Sequence, residues 1–544
     1  MIRSADQTSP EQYPLYDLCI IGSGPAGMTI CNELSDTNLR ICVLESGNRA
    51  KSSFADDLRV VESDGLSIAE DSLERMVGGT SQTWFGLSAP LDPIDFSPRP
   101  FPHHIGWPIS RADLDPWYER AKRFNFPPLS HFHPDIFSDA GDTGKSRFHW
   151  KNCEEKVFLL PTYPLRFGTE YQHAYQQSPN IDLITDATVT RLASEAASGT
   201  IRSHVTVAAC KTPKGMEVSI RAKVFVLAAG TIENARILLN STSTSPNGLG
   251  NEHDQVGRYL MNHPKVWAGR VSLNAPIKEL RNYAWRLYPD GAGYVGVRLR
   301  EEVQTRLGLL NCYVQVTPHF PWTNRQETAS FRSLFAVLWR TELTTWIRDL
   351  AKHNISGVAR KWHLVRRAIW AAVRDSPGLL RLILIRALRG RHPLTPTVGF
   401  FNYIEMEPNP ENRVTLGKER DAFGVRVPHV RHVRSDRDMK SLFALHEFLA
   451  QEFAGFGMGG SLCSTFADIE SNVTVDAFHY LGTTRMGSDP KTSVVNSDLR
   501  VHSVRNLYVA GGAVFPTSGC ANPTMTIVAL SIRLADHLRR YPFD

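Results

Sequence analysis

Three glycines and one acidic residue near the start of the chain have the types and spacing needed to hold a dinucleotide. Gly22, Gly24 and Gly27 form a G-x-G-x-x-G pattern between an apolar run and a helical pattern, and Glu45 ends the next apolar run. The first glycine permits a tight turn, the second lets the backbone approach a pyrophosphate, and the third lets helix and strand pack closely. Glu45 is expected to accept hydrogen bonds from the adenosine ribose. The sequence therefore predicts a dinucleotide-binding βαβ unit.

The glycine pattern alone does not separate NAD from FAD. The other glycine-rich stretches, at 291–293 and 457–460, lack both the spacing and the flanking elements. A flavoprotein reductase that also binds a nicotinamide would normally need a second strand-turn-helix unit. A purely structural glycine turn is the alternative reading of the pattern, and the flanking strand, the helix and Glu45 argue against it.

The elements that must position this site recur along the chain. A buried-strand pattern at 223–230 precedes a helical pattern, and another strand at 506–514 precedes a closing helix at 523–538. The stretch 77–117, rich in Gly, Pro and Trp, is expected to be a loop over a ligand. We expect an α/β fold with a discontinuous Rossmann-like domain and an inserted α+β substrate-binding domain. The predicted limits are 14–95, 166–270 and 471–544 for the dinucleotide domain, 96–165 for a loop-rich lid, and 271–470 for the inserted domain.

Composition sets the class of protein. At 544 residues, 42% hydrophobic and 21% charged, the chain is too apolar for disorder, too charged for a membrane bundle and too long for one core. Its eight cysteines include no C-x-x-C pair, which predicts reduced core cysteines and no metal site. We expect a cytoplasmic enzyme, since the sequence shows no signal peptide pattern and no long uncharged apolar stretch.

Several motifs together resemble the glucose/methanol/choline (GMC) oxidoreductase superfamily, with the pyranose 2-oxidase branch as the nearest in pattern. They are the glycine pattern with LESG, GGTSQTW (78–84), VLAAGTIENARILL, EPNPENRVTL (407–416), HYLGTTRMG (479–487) and GCANPT (519–524). Their order and spacing match over both ends of the chain, about half its length. The region 271–400, where substrate choice usually resides, is poorly covered.

This resemblance implies an FAD-dependent oxidoreductase that converts a secondary alcohol to a ketone, with hydride passing to flavin N5. It also implies the FAD-binding and substrate-binding architecture shared with p-hydroxybenzoate hydroxylase. His479 matches the family's base, and Asn522 matches its second substrate-facing position. A neutral imidazole can take the hydroxyl proton, and an amide can hold the same oxygen while staying uncharged. His263 and His502 are left structural or undecided.

The resemblance also implies cofactor contacts. They are Gly22, Gly24, Gly27 and Glu45 at the dinucleotide, Gly79, Thr80, Ser81 and Trp84 along the isoalloxazine, Val189 at adenine, and Ala513, Asn522, Pro523 and Thr524 near the flavin ring. A glycine turn with a buried tryptophan is the alternative for 78–84. Thr83 stands where some pyranose oxidases attach FAD through histidine. The sequence therefore predicts non-covalent FAD.

A basic segment lies between residues 331 and 391. It holds 13 Lys and Arg and three acidic residues, a net charge of +10 in a chain whose total is +6. Arginines recur every seven residues, beside tryptophans and a leucine-rich stretch, at Arg360, Arg367, Arg374 and Arg381. An inserted helical subdomain that packs on the core or on a second subunit is one interpretation. Peripheral contact with an anionic membrane or a lipid-linked substrate is the other.

The function expected from the sequence is oxidation of a sugar or sugar-bearing alcohol, with oxygen, a quinone or a carrier protein as open choices of electron acceptor. Alternatives are oxidation of a non-sugar alcohol such as a lipid or natural product, a flavin-containing lyase, and a binding protein with a vestigial flavin. Nucleic acid is not expected as a partner, because the excess charge is confined to one segment. A serine hydrolase is disfavoured, since no G-x-S-x-G elbow is present.

Overall fold

The computed structural model describes most of the 544-residue chain. The described ranges are 1–9, 12–69, 72–137, 148–196, 203–273, 285–318, 397–462 and 478–541, together with residues 280, 283, 366, 369, 370 and 373. The basic segment 331–391, including Arg360, Arg367, Arg374 and Arg381, therefore lies almost entirely outside the described residues.

The described ranges form eighteen strands and ten α-helices, labelled in chain order. The strands are β1 (Ile2–Ser4), β2 (Tyr16–Ile21), β3 (Ile41–Leu44), β4 (Glu62–Asp64), β5 (Cys153–Pro161), β6 (Ile181–Thr185), β7 (Thr188–Ala196), β8 (Ser203–Lys211), β9 (Glu217–Leu227), β10 (Lys265–Leu273), β11 (Arg286–Tyr288), β12 (Gly291–Leu299), β13 (Tyr313–Pro318), β14 (Thr397–Tyr403), β15 (Arg413–Arg420), β16 (Arg426–Arg431), β17 (Gly459–Leu462) and β18 (Leu507–Val509). The helices are α1 (Pro25–Glu33), α2 (Ser53–Asp57), α3 (Pro93–Phe96), α4 (Arg111–Arg120), α5 (Phe167–Glu170), α6 (Gln172–Gln177), α7 (Thr231–Asn240), α8 (Glu301–Leu307), α9 (Asp436–Gly455) and α10 (Thr524–Arg539).

The first sheet is a Rossmann-like sheet with an antiparallel extension. Its order is β1-β6-β3-β2-β9-β8-β7, with β18 pairing with β9. The second half of β9 pairs in parallel with β2 and β18, and its first half pairs antiparallel with β8. The strand order reverses between β2 and β9, where the Ala228 N–H donates to the Ile21 carbonyl over 2.7 Å. Ligands of open α/β sheets bind beyond the carboxyl ends of strands at such a point.

The second sheet is antiparallel and separates two cores. Its order is β11-β12-β13-β14-β10-β17, and β5 pairs along the whole of β12. Alternate residues on one face, such as Val297 and Phe400, form a core with α9. Residues on the other face, such as Tyr313 and Tyr403, belong to the core of the first sheet. This second face is aromatic and turned towards the dinucleotide-type domain.

The predicted α/β fold class, a discontinuous Rossmann-like domain with an inserted domain, is confirmed. The predicted limit at residue 270 falls inside β10, and β1 precedes residue 14. The β15–β16 hairpin pairs with β4, and its Val414 and Val430 belong to the first core. The individual domain limits stay a prediction.

The expectation of a loop throughout 77–117 is wrong for its last part. Helix α4 begins after Ser110, whose hydroxyl accepts from the Asp113 N–H over 3.1 Å, while the Asp113 carboxylate accepts from the Ser110 N–H over 2.8 Å. This reciprocal capping box is visible in the sequence as Ser-x-x-Asp. Pro116 lies inside the helix and obscures the helical pattern.

Two further properties concern the described part of the chain. Its seven cysteines are all buried and free, as expected of reduced core residues. Among the helices that the structure describes, we find none that combines the length and apolar composition required to cross a bilayer.

Candidate active site

The glycine pattern forms the turn between β2 and α1 that a dinucleotide requires. Gly22 has φ of 106°, and a Cβ there would lie 2.5 Å from the Ala228 carbonyl oxygen. A Cβ at Gly27 would overlap the Gly22 carbonyl oxygen, so α1 could not approach β2 as it does. At Gly24, which precedes α1, a Cβ would meet no atom within 4 Å. Two of the glycines are thus needed by the fold, and the third leaves space at a helix N-terminus.

Two more glycines, which follow neighbouring strands, also have open space beside them. Gly230 follows β9 and Gly511 follows β18, with φ of 90° and 100°. A Cβ would meet nothing within 4 Å at Gly230 and only the Ala26 Cβ, at 4.0 Å, at Gly511. Three glycines with room beside them therefore border the crevice at the strand-order reversal. This cradle fits a dinucleotide such as FAD, with its pyrophosphate at the N-terminus of α1.

Glu45 is buried at the end of β3 and is held by its own chain. Its carboxylate accepts hydrogen bonds from the Ser23 N–H at 3.2 Å, the Ser23 hydroxyl at 2.5 Å and the Gly47 N–H at 2.9 Å. Burial raises its pKa, and these hydrogen bonds oppose that shift. A carboxylate offers about four acceptor positions, so one remains for a ribose hydroxyl. Its role at the ribose stays a prediction.

The 78–84 segment lies directly against the glycine pattern. The Gly78 N–H donates to the Ser23 carbonyl over 3.1 Å, and a Cβ at Gly79 would lie 3.1 Å from the Gly24 Cα. Residues Gly79–Gln82 form a 3-10 turn. The Thr80 hydroxyl donates to the Ser72 carbonyl over 3.4 Å. This turn connects the dinucleotide end of the site with the Tyr480 region, since the hydroxyls of Ser72 and Tyr480 lie 3.1 Å apart.

Some predicted flavin contacts in this segment already have partners in the protein. The Ser81 hydroxyl donates to the Gly78 carbonyl over 2.6 Å. The Trp84 indole N–H donates to the Leu165 carbonyl over 2.8 Å, and its ring packs on Phe126. These contacts agree with the alternative of a glycine turn closed by a tryptophan. The flavin roles of Ser81 and Trp84 stay predictions.

Val189 lies in β7, two residues after Ala187. The neighbouring Ala187 N–H donates to the Glu45 carbonyl over 2.9 Å, which brings the start of β7 beside the acidic residue. Val189 is buried. The adenine contact of Val189 stays a prediction.

The last two motifs run side by side. The N–H groups of Gly482, Thr484 and Met486 donate to the carbonyls of Gly512, Ala513 and Val514 over 3.0, 2.8 and 2.8 Å. Asn522 and Pro523 follow on the same chain segment and lead into α10 at Thr524. The structure thereby places Ala513 and Asn522 beside the 479–487 motif, and the flavin roles of Pro523 and Thr524 stay predictions.

His479 lies between Asn522 and a second histidine. Its Nε2 is 3.5 Å from the Asn522 amide nitrogen, and its Nδ1 is 3.0 Å from Nδ1 of His263. The Nε2 of His263 lies 3.0 Å from the Ser518 carbonyl and 2.8 Å from the Gly519 carbonyl. The structure therefore joins the two predicted residues and adds His263, which the sequence left undecided.

The hydrogen bonds assign the tautomers of both histidines. Backbone carbonyls only accept, so Nε2 of His263 carries a proton. Burial lowers the pKa of His263 to about 4, so the ring is neutral and its Nδ1 is an acceptor. Nδ1 of His479 must then be the donor. Burial also lowers the pKa of His479, whose Nε2 consequently presents a lone pair beside Asn522.

Two buried polar atoms at this place fit a bound cofactor and substrate. Among the described residues, Asn522 Oδ1 and Thr484 Oγ1 are buried without a hydrogen-bond partner in the protein. Buried polar groups are normally paired. Their position beside His479 and the 512–514 turn fits a bound flavin and substrate. Within the described ranges we find no cluster of three or more His, Cys, Asp or Glu side chains arranged to hold a metal ion.

Lys265 is a further charged residue that the sequence did not single out. It begins β10, two residues after His263, and its ammonium lies 5.2 Å from the ring centroid of Tyr403. Burial lowers the pKa of Lys265 to about 8, so it is mostly charged at neutral pH. After burial, its charge is the next cause that lowers the pKa of His479. The only signal in the sequence is a lysine two residues after a histidine.

In the pH profile of flavin reduction, we expect the loss of activity on the acidic side to occur at higher pH in the Lys265→Met variant than in the wild type. Removing the neighbouring positive charge raises the pKa of His479, and His479 can act as a base only while neutral. The pH profile of flavin reduction by an alcohol measures this shift. Lys440→Met, at an exposed position on α9, is the matched control. An unchanged acidic side of the profile in Lys265→Met would show that this charge does not act on the base.

Comparisons with known proteins agree with this geometry. The GMC oxidoreductase family model matches residues 408–531. The fructose dehydrogenase large subunit of Gluconobacter japonicus is 26% identical over 62% of this chain, which spans half the length of that protein. The 2-methyl-1,2-propanediol dehydrogenase of Mycolicibacterium austroafricanum is 22% identical, over 99% of this chain and 96% of its own. The structure is also similar to that of pyridoxine 4-oxidase from Mesorbium loti, at a TM-score of 0.55 and 15% sequence identity. That alignment covers 97% of this chain and 100% of the oxidase.

Proposed function

The chain belongs to the GMC oxidoreductases, FAD enzymes that act on CH–OH donors, and from that premise we propose that it oxidises a secondary alcohol of a sugar or sugar-bearing molecule to a ketone. The observation that carries this proposal is the hydrogen-bond chain from the Ser518 and Gly519 carbonyls through His263 to His479. It leaves the lone pair of His479 Nε2 beside Asn522.

In the proposed reaction, His479 Nε2 takes the proton of the substrate hydroxyl. Hydride departs readily only from a carbon whose oxygen carries alkoxide character, so removal of this proton assists the oxidation. The positive charge that forms on His479 is stabilised through its Nδ1–H, which donates to His263. When bound, FAD supplies the two-electron acceptor for the carbon–hydrogen bond that breaks.

Asn522 and Lys265 position the substrate in this proposal. The Asn522 amide N–H lies on the same side as His479 Nε2 and can donate to the reacting oxygen. Lys265 adds a positive charge to the same region, which favours an oxygen that is losing its proton. Neither group changes its own protonation during the step.

The proposal of a sugar substrate rests on two supports. The motifs resemble the pyranose 2-oxidase branch, and the fructose dehydrogenase large subunit is a relative over part of the chain. The second support is the aromatic face of the second sheet, where Tyr403 lies beside Lys265 and leads through Phe401 to Trp267, which is exposed. Aromatic faces pack well against the C–H faces of sugar rings.

Oxidation of a non-sugar alcohol is the second candidate. It is favoured by the relative that matches nearly the full length of this chain, a 2-methyl-1,2-propanediol dehydrogenase. A lyase that keeps FAD only as structure is the other alternative, and a lyase would not reduce the flavin.

The experiment that separates these functions is anaerobic flavin reduction across a panel of alcohols. Free sugars, nucleotide-linked glycosides, lipid-linked glycosides and 1,2-diols are added to the oxidised holoenzyme, and loss of flavin absorbance is followed. Bleaching by sugars or glycosides supports the proposal. Bleaching by diols alone would support oxidation of a non-sugar alcohol instead. No bleaching with any alcohol would contradict both proposed oxidations.

We predict that the holoenzyme releases intact FAD on acid or heat denaturation. Thr83 offers no imidazole for a flavin bond, and its exposed hydroxyl donates to the Thr80 carbonyl over 3.2 Å. The yellow colour should therefore appear in the supernatant, where chromatography identifies FAD. Flavin that remains with the precipitated polypeptide would contradict the prediction.

The basic segment 331–391 is proposed to control access to the substrate and not the chemistry. If it contacts a membrane, wild-type protein binds anionic vesicles at low salt, and replacing Arg360, Arg367 and Arg374 by Gln weakens that binding. FAD content and turnover of a small alcohol should stay unchanged in this variant. Wild-type protein that ignores such vesicles would leave a subdomain or subunit contact as the role of the segment.

A further inference from the structure

The aromatic face of the second sheet continues past the candidate active site. Its row of six rings, called the aromatic row below, consists of Tyr294, Phe158, Tyr313, Tyr403, Phe401 and Trp267. Consecutive ring centroids lie 5.3, 4.0, 4.4, 5.2 and 4.7 Å apart. The first four rings are buried in the core of the first sheet. The last two lead outwards.

Strand register connects the outer end of this row with the active site. Lys265 on β10 pairs with Tyr403 on β14, and Trp267 pairs with Phe401. Side chains two residues apart on a strand share a face and lie about 6.6–6.8 Å apart along it. The Trp267–Phe401 pair is therefore one step outward from Lys265, which itself follows His263 by two residues.

Trp267 makes the outer pair accessible, while Phe401 is half-buried. The Trp267 side chain is 62% exposed, although its ring lies 4.7 Å from that of Phe401 at an angle of 32°. Gln315 on β13 pairs with Phe401 and follows Tyr313 by two residues, so its side chain shares the same face. An apolar platform with one polar group beside it, continuous with a reactive site, is typical of a ligand-binding surface.

We propose that Trp267 and Phe401 form an outer binding platform for the second ring of a glycoside, either its aglycone or an adjoining sugar, while the first ring reacts at His479. This inference rests on the proposed function. The platform lies one step along β10 from Lys265, whose charge acts on His479, so it borders the region in which the first ring reacts. The platform therefore makes the enzyme favour glycosides over free sugars.

The test compares D-glucose with phenyl β-D-glucoside as reductants of the flavin in the holoenzyme under anaerobic conditions. For each substrate the measurement gives kred/Kd, the limiting rate of flavin reduction divided by the substrate dissociation constant. The ratio of kred/Kd for the glucoside to that for glucose is expected to fall about tenfold in Trp267→Ala, mainly through Kd. Trp267→Phe should restore most of the ratio, because it keeps an aromatic ring. Leu287→Ala on β11, at an 83% exposed position outside the aromatic row, is the matched control and should keep the wild-type ratio.

Three results would overturn the platform. An unchanged ratio in Trp267→Ala, including the case of an equal loss for both substrates, would show that Trp267 does not set specificity while leaving the proposed function intact. Loss of binding to anionic vesicles in Trp267→Ala, with the ratio unchanged, would assign the surface to a membrane. Wild-type enzyme that is reduced by neither sugar, yet by another alcohol, would overturn the proposed sugar chemistry and the platform together.

Discussion

Replacement of His479 by alanine is expected to leave FAD bound and to slow flavin reduction by at least about 10²-fold, the usual contribution of a positioned general base. The variant removes His479 Nε2, whose lone pair lies beside Asn522 and can accept the substrate proton, while Nδ1 of the same ring donates to His263. Anaerobic stopped-flow measurement with the best substrate from the alcohol panel gives the rate, and the flavin absorbance spectrum gives the FAD content.

Two further variants sharpen this test. His263→Ala removes the acceptor that holds the proton on His479 Nδ1, so the base can adopt the wrong tautomer, and we expect a smaller loss. The rate of flavin reduction should fall in Asn522→Ala by the same factor as in His479→Ala or by a smaller one. His253→Ala, at an exposed position, is the control for histidine removal in general. A His479→Ala enzyme that reduces FAD at the wild-type rate would show that the base is another group.

The dinucleotide cradle could be predicted from sequence because its parts are local. Gly22, Gly24 and Gly27 belong to one turn, and each has a separate steric reason that can be stated without knowing any distant contact. Strand and helix patterns around them are similarly local, and β2, α1 and β3 lie where the sequence places them. Helix α4 was missed although its Ser-x-x-Asp cap was available, because Pro116 interrupts the pattern that would have marked it.

The histidine pair could not be predicted from spacing. His263 and His479 are 216 residues apart, and their contact depends on β10 starting beside the 479–487 motif. The Met261–Leu481 bridge, with both N–H groups donating over 3.0 Å, fixes that approach. Lys265 reaches the same region only because it begins β10. Such residues become candidates when two separately predicted motifs are found to be neighbours.

Two glycine-to-alanine substitutions in the glycine pattern should each have a large effect, one on FAD affinity and the other on the stability of the fold. Gly24→Ala should keep the fold and weaken FAD binding at least about tenfold. Its φ of −70° suits alanine, and its Cβ would meet no protein atom within 4 Å, so the methyl group enters the space where a pyrophosphate approaches. Gly27→Ala should instead destabilise the fold itself by about 1–3 kcal/mol or more, because its Cβ overlaps the Gly22 carbonyl oxygen.

Titration of each apoprotein with FAD and thermal unfolding of the same samples separate the two effects. Gly24→Ala apoprotein should unfold at or slightly above the wild-type temperature, since replacing glycine by alanine at a compatible φ restricts the unfolded chain. Gly27→Ala apoprotein should unfold at a lower temperature before FAD is added. Normal FAD affinity in Gly24→Ala would mean that the space beside this glycine is not the pyrophosphate site. In that case Glu45, whose carboxylate accepts hydrogen bonds from Ser23 and Gly47, would lose its predicted role at the ribose as well.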